Sequence, residues 1–265
     1  MDIKLIIFSA CSFKRKSFTN SALAAFSNFL AKKHGYKTVL YTDAPHYEIL
    51  KNVEYDEVKF FDEKIINEFP NTGWSLGKLL AMSMVKKPFV HIDFDMLMIN
   101  DVPHNIKANE CFVFHKEIYM EKIFEIKGVQ KLYQKYNYQK ELNYKQTSSN
   151  NCAIIGGQNY QLISDSCNKV IDYAISNKKF FEEFSNLFLP SSKAMYIPVF
   201  FEQILLLNII REKTKSKTIP TIIEENDIKK IMIKADELKL FHLWGSKRKF
   251  LPDFTRLAKK KSISF

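Results

Sequence analysis

Glycine and proline are scarce, with 7 and 8 in 265 residues. The stretch leaving the first apolar run, Ser9-Ala10-Cys11-Ser12-Phe13-Lys14-Arg15-Lys16, holds neither. A glycine-rich phosphate cradle of the kind a metal-dependent nucleotidyltransferase carries after its first strand is therefore missing. Cysteine is sparse too. Cys11, Cys111, Cys152 and Cys167 are scattered, with no CxxC pair and no histidine at zinc-ligand spacing. That excludes a disulfide framework or a structural zinc site and fits reduced thiols. No run approaches the roughly 18 apolar residues of a membrane span. The apolar run Leu5-Ile6-Ile7-Phe8 is too short for a signal-peptide core. The expectation is a soluble, cytoplasmic protein. Repeats, low-complexity linkers and helix-turn-helix, RNP or zinc-finger patterns are also lacking, so nucleic acid is an unlikely partner.

Acidic residues are in deficit, 29 against 40 basic ones, giving a formal charge of +11. The excess is spread along the chain and suits an anionic substrate or an anionic surface. Hydrophobic residues make up 46% of the chain. A chain of this length buries about three quarters of its unfolded surface without staples. The expected organisation is one domain over 1–246 and a basic amphipathic tail over 247–265. The tail mixes Lys247, Arg248, Lys249, Arg256 and Lys259-Lys260-Lys261 with Phe250, Leu251, Phe254 and Leu257. Such a tail either contacts an anionic membrane peripherally or is simply solvated.

The periodicity predicts strands over 4–9, 37–41, 58–61, 89–93, 110–115 and 152–155. Helices are predicted over 20–34, 74–84, 158–177 and 199–210, with Gly35 capping the first. A polar, Tyr- and Lys-rich segment over 117–143 reads as a helical excursion or cover, and 147–151 and 190–196 read as loops. The alternation implies an α/β fold with a central, mostly parallel sheet flanked by helices. Ligands collect beyond the carboxyl ends of strands in such sheets. Ser9, Asp43, Asp93 and Asp95 lie at predicted strand ends.

The densest chemistry is in Pro88-Phe89-Val90-His91-Ile92-Asp93-Phe94-Asp95-Met96-Leu97-Met98-Ile99, an apolar run broken by two carboxylates. In extended backbone, residues two apart share a face, so Asp93 and Asp95 project together. Two desolvated like charges cost several kcal/mol each unless a cation or water meets them. Hard cations such as Mg²⁺ or Mn²⁺ take one or two protein carboxylates and complete their shell from water and substrate phosphates. Lys78 is the one charge on the otherwise apolar helix 74–84. It either reaches along that helix to water or aims at a phosphate.

The segment from Lys78 to Leu97, KLLAMSMVKKPFVHIDFDML, resembles the stretch that leads into the DxD of GT-A-fold glycosyltransferases. Tyr41-Thr42-Asp43 is similar to a strand-end "TD" found near the nucleotide in that family. Asn150-Asn151-Cys152-Ala153-Ile154-Ile155-Gly156-Gly157 resembles the strand that borders the donor sugar. Glu202-Gln203-Ile204-Leu205-Leu206-Leu207-Asn208 resembles the "DQxxLN" segment of retaining members, with Glu replacing Asp. Leu240-Phe241-His242-Leu243-Trp244-Gly245-Ser246-Lys247-Arg248 resembles the HxxG-plus-basic signature of the glycogenin-like and lipopolysaccharide galactosyltransferase-type retaining enzymes.

The resemblance implies a GT-A, Rossmann-like fold and a metal-dependent glycosyltransferase. A sugar would move from a nucleotide diphosphate, a UDP-sugar, to a glycan or lipid-linked acceptor. Asp93, Asp95 and His242 would bind Mn²⁺ or Mg²⁺. Ser9, Asp43, Lys78, Asp93, Asn150, Asn151, Gly156, Gly157, Gly245 and Lys247 or Arg248 would contact the donor. The HxxG resemblance implies retention, with Gln203 near the anomeric carbon; if the reaction inverts, Glu202 would be the base that deprotonates the acceptor hydroxyl. A nucleotidyltransferase and a non-catalytic sugar- or nucleic-acid-binding module are the rival readings.

Overall fold

The computed structural model describes residues 3–11, 21–69, 75–117, 131, 149–186, 200–216, 218–225 and 227–243. Gly245, Lys247, Arg248, the basic tail, the loop over 190–196 and nearly all of the segment over 117–143 lie outside them. The first half runs β1 (Leu5–Ala10), α1 (Ser21–Lys33), β2 (Lys37–Thr42), α2 (Ala44–Leu50), β3 (Glu57–Phe60), α3 (Glu63–Glu68), α4 (Leu76–Ser83), β4 (Phe89–Ile92), β5 (Met96–Met98), α5 (His104–Lys107) and β6 (Phe112–Glu117). The second half runs β7 (Ser149–Gly157), α6 (Tyr160–Ser176), α7 (Lys178–Asn186), a π-helical turn (Phe200–Leu205), α8 (Leu206–Thr214), β8 (Thr221–Ile223), α9 (Ile228–Leu238) and β9 (Leu240–His242).

Among the described residues these strands form a seven-stranded sheet in the order β3-β2-β1-β4-β7-β6-β8, and β5 pairs with β9 separately. The β3-β2-β1-β4 half and the β6/β8 pair are parallel, whereas β7 runs antiparallel to both neighbours. The fold is thus mixed α/β, with a mostly parallel central sheet flanked by helices.

Alternation along the strands explains the layering. In β1, Leu5 and Ile7 face one apolar layer, and Ile6 and Phe8 face the other. The first layer is covered by α4 and α6 through Leu79, Met82, Ile163 and Val170. The second is covered by α1 and α9 through Ala24, Ala25 and Ile231. Runs that are apolar at every position are what a sheet covered on both faces requires. Gly35 ends α1 at φ 79°, the left-handed conformation that a helix stop favours.

Three expectations shift. Asn150 and Asn151 lie inside β7, not in a loop, because their backbones pair with Lys116 and His115 of β6. Asp43 does more than stop β2: its carboxylate accepts from the His46 backbone N–H and starts α2. The predicted helix over 199–210 opens as a π-turn instead of a regular helix.

No helix of the described residues is long and apolar enough to cross a membrane.

Candidate functional site

β4 ends at Ile92, and the chain turns through Asp93, Phe94 and Asp95 before β5. The Met96 N–H donates to the Asp93 carbonyl at 3.0 Å, closing the turn. The two carboxylates therefore converge through a turn and not through strand alternation, correcting the reason given for their pairing. Phe94 anchors the turn, its ring stacked 5.7 Å from Phe8 of β1. On the other side, the Asp93 N–H donates to Ala153 of β7 at 2.9 Å.

β5 brings in the third group. Met96 faces His242 in the antiparallel β5/β9 pair, and the Leu243 N–H donates to the Asp95 carbonyl at 2.8 Å. Lys239, left-handed at φ 56°, ends α9 and turns the chain straight into β9. His242 Nε2 then lies 3.4 Å from Asp95 Oδ1, and its ring meets that of Phe114 in a T-shaped contact. Asp93, Asp95 and His242 each offer one ligand atom, all within 4.8 Å of one another. Their side chains are only partly buried, so water and a ligand can complete a coordination shell. Oxygen and imidazole donors with an open side suit a divalent cation.

Behind this cluster lies an ion triad centred on a buried lysine. Lys78 of α4 is 5% exposed, and its Nζ lies 2.8 Å from Asp93 Oδ1 and 2.9 Å from Glu202 Oε2. It also donates to the Cys152 carbonyl at 2.6 Å. The contact to Glu202 is charge-to-charge, without the alignment of a hydrogen bond. Burial alone would pull the ammonium down. Asp93 and Glu202 outweigh it and hold lysine well above its ordinary range. The lysine thus has three protein oxygens around its ammonium, from Asp93, Glu202 and Cys152.

Formally, Asp93, Asp95 and Glu202 against Lys78 leave two negative charges, which a divalent cation would cancel. Burial drives the Asp93 carboxyl up and Lys78 pulls it back. Repulsion from Glu202 and Asp95 adds to the rise, leaving it at about 6 instead of 3.8. Protons then compete with a cation, so affinity for Mn²⁺ is expected to fall as pH drops through about 6. Titrations between pH 5 and 8 check this. Without metal the sign reverses for stability: the raised carboxyl favours the fold when protonated, and that contribution is lost as pH rises from 3.8 to about 6.

The other predicted residues divide into two groups. Ser9 sits near the triad, its Oγ 2.9 Å from Nε2 of His91, whose imidazole is kept neutral by burial and by Lys78. His91 was not among the candidates, although its place two residues before Asp93 puts it on the same face. Asn150 Oδ1 accepts from Arg211 Nη2 at 2.7 Å, and Asn151 Oδ1 accepts from the Ala153 N–H at 3.0 Å. Gln203 follows Glu202 in the π-turn, its Oε1 buried and unpartnered.

Asp43, Gly156 and Gly157 have structural neighbours of their own. The Asp43 carboxylate is engaged by the backbone N–H and Nδ1 of His46 and by the Cys11 thiol. Gly156 and Gly157 pair with Val90 and Phe89, at the start of β4, whereas Asp93 lies beyond its end. A rise of about 3.3 Å per residue puts them roughly 10 Å or more from the acidic turn. Their small size serves strand packing: a Cβ on Gly157 would stand 2.0 Å from the Glu110 carbonyl.

Fold and site together define an α/β protein whose central sheet ends in an acidic–imidazole cluster backed by a buried Lys78–Glu202 ion pair. The chain belongs to the family of unknown function DUF6734, whose model matches residues 8–262. No curated protein matches. Similar solved structures include the glycosyltransferase GlyE of Streptococcus pneumoniae TIGR4, at 9% identity and a TM-score of 0.42, covering 99% of this chain and 65% of that one. The PaToxG glycosyltransferase aligns at 12% identity and a TM-score of 0.39, covering 90% of this chain and 86% of the other. The chain thus spans less than two thirds of the length of GlyE.

Proposed function

We propose that this protein is a metal-dependent glycosyltransferase that moves a sugar from a nucleotide-diphosphate donor, a UDP-sugar, to a glycan or lipid-linked acceptor. One observation carries the reading. Two aspartates from mid-chain and an imidazole from the far end of the described chain present ligand atoms within 4.8 Å of one another. The order of resembling segments along the sequence supports it independently.

Asp93, Asp95 and His242 would hold Mn²⁺ or Mg²⁺. When bound, such a cation neutralises charge on the leaving diphosphate as a Lewis acid. Lys247 or Arg248 would add a second positive charge there, as the resemblance implies. Glu202 is a poor candidate for a base that deprotonates an acceptor, since its carboxylate is buried against Lys78. Gln203 carries a buried, unpartnered carbonyl oxygen, an acceptor ready for a donor hydroxyl. The contrast favours retention, with Gln203 facing the sugar and Glu202 holding the lysine.

A screen of nucleotide sugars with Mn²⁺ tests the function. Slow release of nucleoside diphosphate from one donor, abolished by EDTA and restored by Mn²⁺, is the expected result. Pyrophosphate release from nucleoside triphosphates would favour the nucleotidyltransferase. No metal-dependent nucleotide affinity at all would favour a non-catalytic module.

A further inference from the structure

We propose that Lys78 is a positioning residue that confines the divalent cation to one side of Asp93, by occupying the seat between Asp93 and Glu202 that a second or misplaced cation would take. The inference rests on the metal reading above.

Asp93 stands between the Lys78 ammonium on its inner side and the open cluster with Asp95 and His242 on its outer side. Lys78 Nζ is 2.8 Å from Asp93 Oδ1, so that oxygen is committed inward. One face of the carboxylate is left for a cation, and chelation by both oxygens is disfavoured. The inner seat has the makings of a hard-cation site in its own right. Two carboxylates and the Cys152 carbonyl surround a single point within 2.9 Å, and the structure fills that point with the ammonium. Cations of this class take carboxylate and backbone carbonyl oxygens of just this kind.

Several elements fix the arrangement. Lys78 is carried on α4, packed in the apolar layer through Leu79, Leu80 and Met82. Glu202 is turned inward by the π-turn, and such turns recur at functional sites. Cys152 supplies its carbonyl from the strand beside β4. A tethered ammonium here costs the protein no ion uptake and cannot dissociate. Without it, a dication can settle between Asp93 and Glu202, away from His242 and from any diphosphate on the outer side.

The test is a cycle of Mn²⁺ titrations followed by electron paramagnetic resonance, which reads binding and not turnover. In the wild-type background, His242→Ala is expected to weaken Mn²⁺ at least about tenfold, the low end of what altered metal surroundings cost. In the Lys78→Met background the ion has the inner seat, so the same His242→Ala step is expected to cost less than about twofold. Adding Glu202→Gln to Lys78→Met removes the inner seat and should restore the full loss. If Lys78→Met does not fold, Lys78→Gln, which keeps a donor for Asp93, carries the same comparison. Equal losses from His242→Ala with and without Lys78 would overturn the proposal while leaving the metal site standing. Absence of Mn²⁺ binding by the wild type would overturn both.

Discussion

Asp95→Ala is expected to lose Mn²⁺ binding and, with it, hydrolysis of the nucleotide sugar. Asp95 shares the turn with Asp93, and its carboxylate lies 3.4 Å from the His242 ring. Two unit charges 4 Å apart near a protein surface interact by about 4 kcal/mol. Losing one carboxylate from around a dication therefore costs several kcal/mol, roughly a thousandfold in affinity at about 1.4 kcal/mol per decade. Folding should be spared. The Leu243 N–H reaches the Asp95 backbone carbonyl, which alanine keeps, so β9 still docks on β5. Removing a negative charge beside Asp93 also relieves repulsion. The expected pattern is lost Mn²⁺ affinity, lost turnover and an unchanged or slightly raised melting temperature without metal. Calorimetry with Mn²⁺ and thermal unfolding read the first and the last. Turnover equal to the wild type would remove the cation from the account.

Gly157→Ala is expected to have the largest effect on stability. A Cβ there would lie 2.0 Å from the Glu110 carbonyl oxygen and 2.7 Å from Cys111 Cα. Both are backbone atoms, so no side chain can move to make room. Overpacking typically costs about 1–3 kcal/mol, and a clash with backbone belongs at the top of that range or beyond. For a chain of this size that lowers the melting temperature by about 6–12 °C. Gly35→Ala makes the contrast. Nothing lies within 4 Å of its Cβ, and only the positive φ of 79° resists the change. A smaller loss is expected there, and thermal unfolding of the two variants side by side reads the difference. Equal losses would show that the tight approach at Gly157 relaxes freely.

The alternating half of the fold was readable in the sequence. β1, α1, β2, α4 and β4 each carry an apolar run or stripe long enough to show its period, and the parallel arrangement followed from their order. The reversal at β7 was not readable, because an antiparallel strand buried on both faces has the same apolar run as a parallel one. β5, β8 and β9 are three residues each, too short to display any period.

The candidate cation cluster was readable for a different reason. Aspartates inside an apolar run have few uses, and the histidine carried its own local pattern. Their meeting depended on the β5/β9 pairing, which no local signal announces. Lys78 stood out in the sequence as a lone charge, but its partners did not. Its acidic neighbours come from a turn and from a helix far along the chain, and only the folded geometry shows that its donors are already taken. The strand packing of Gly156 and Gly157 was not readable, because a glycine that allows a ligand close and one that allows a strand close look alike in a sequence.

Crystals grown with Mn²⁺ and measured at the manganese absorption edge test the account most directly. An anomalous difference peak in contact with Asp93, Asp95 and His242, with Lys78 still between Asp93 and Glu202, is the predicted result. An ordered manganese bound elsewhere while these three side chains keep only water would contradict it.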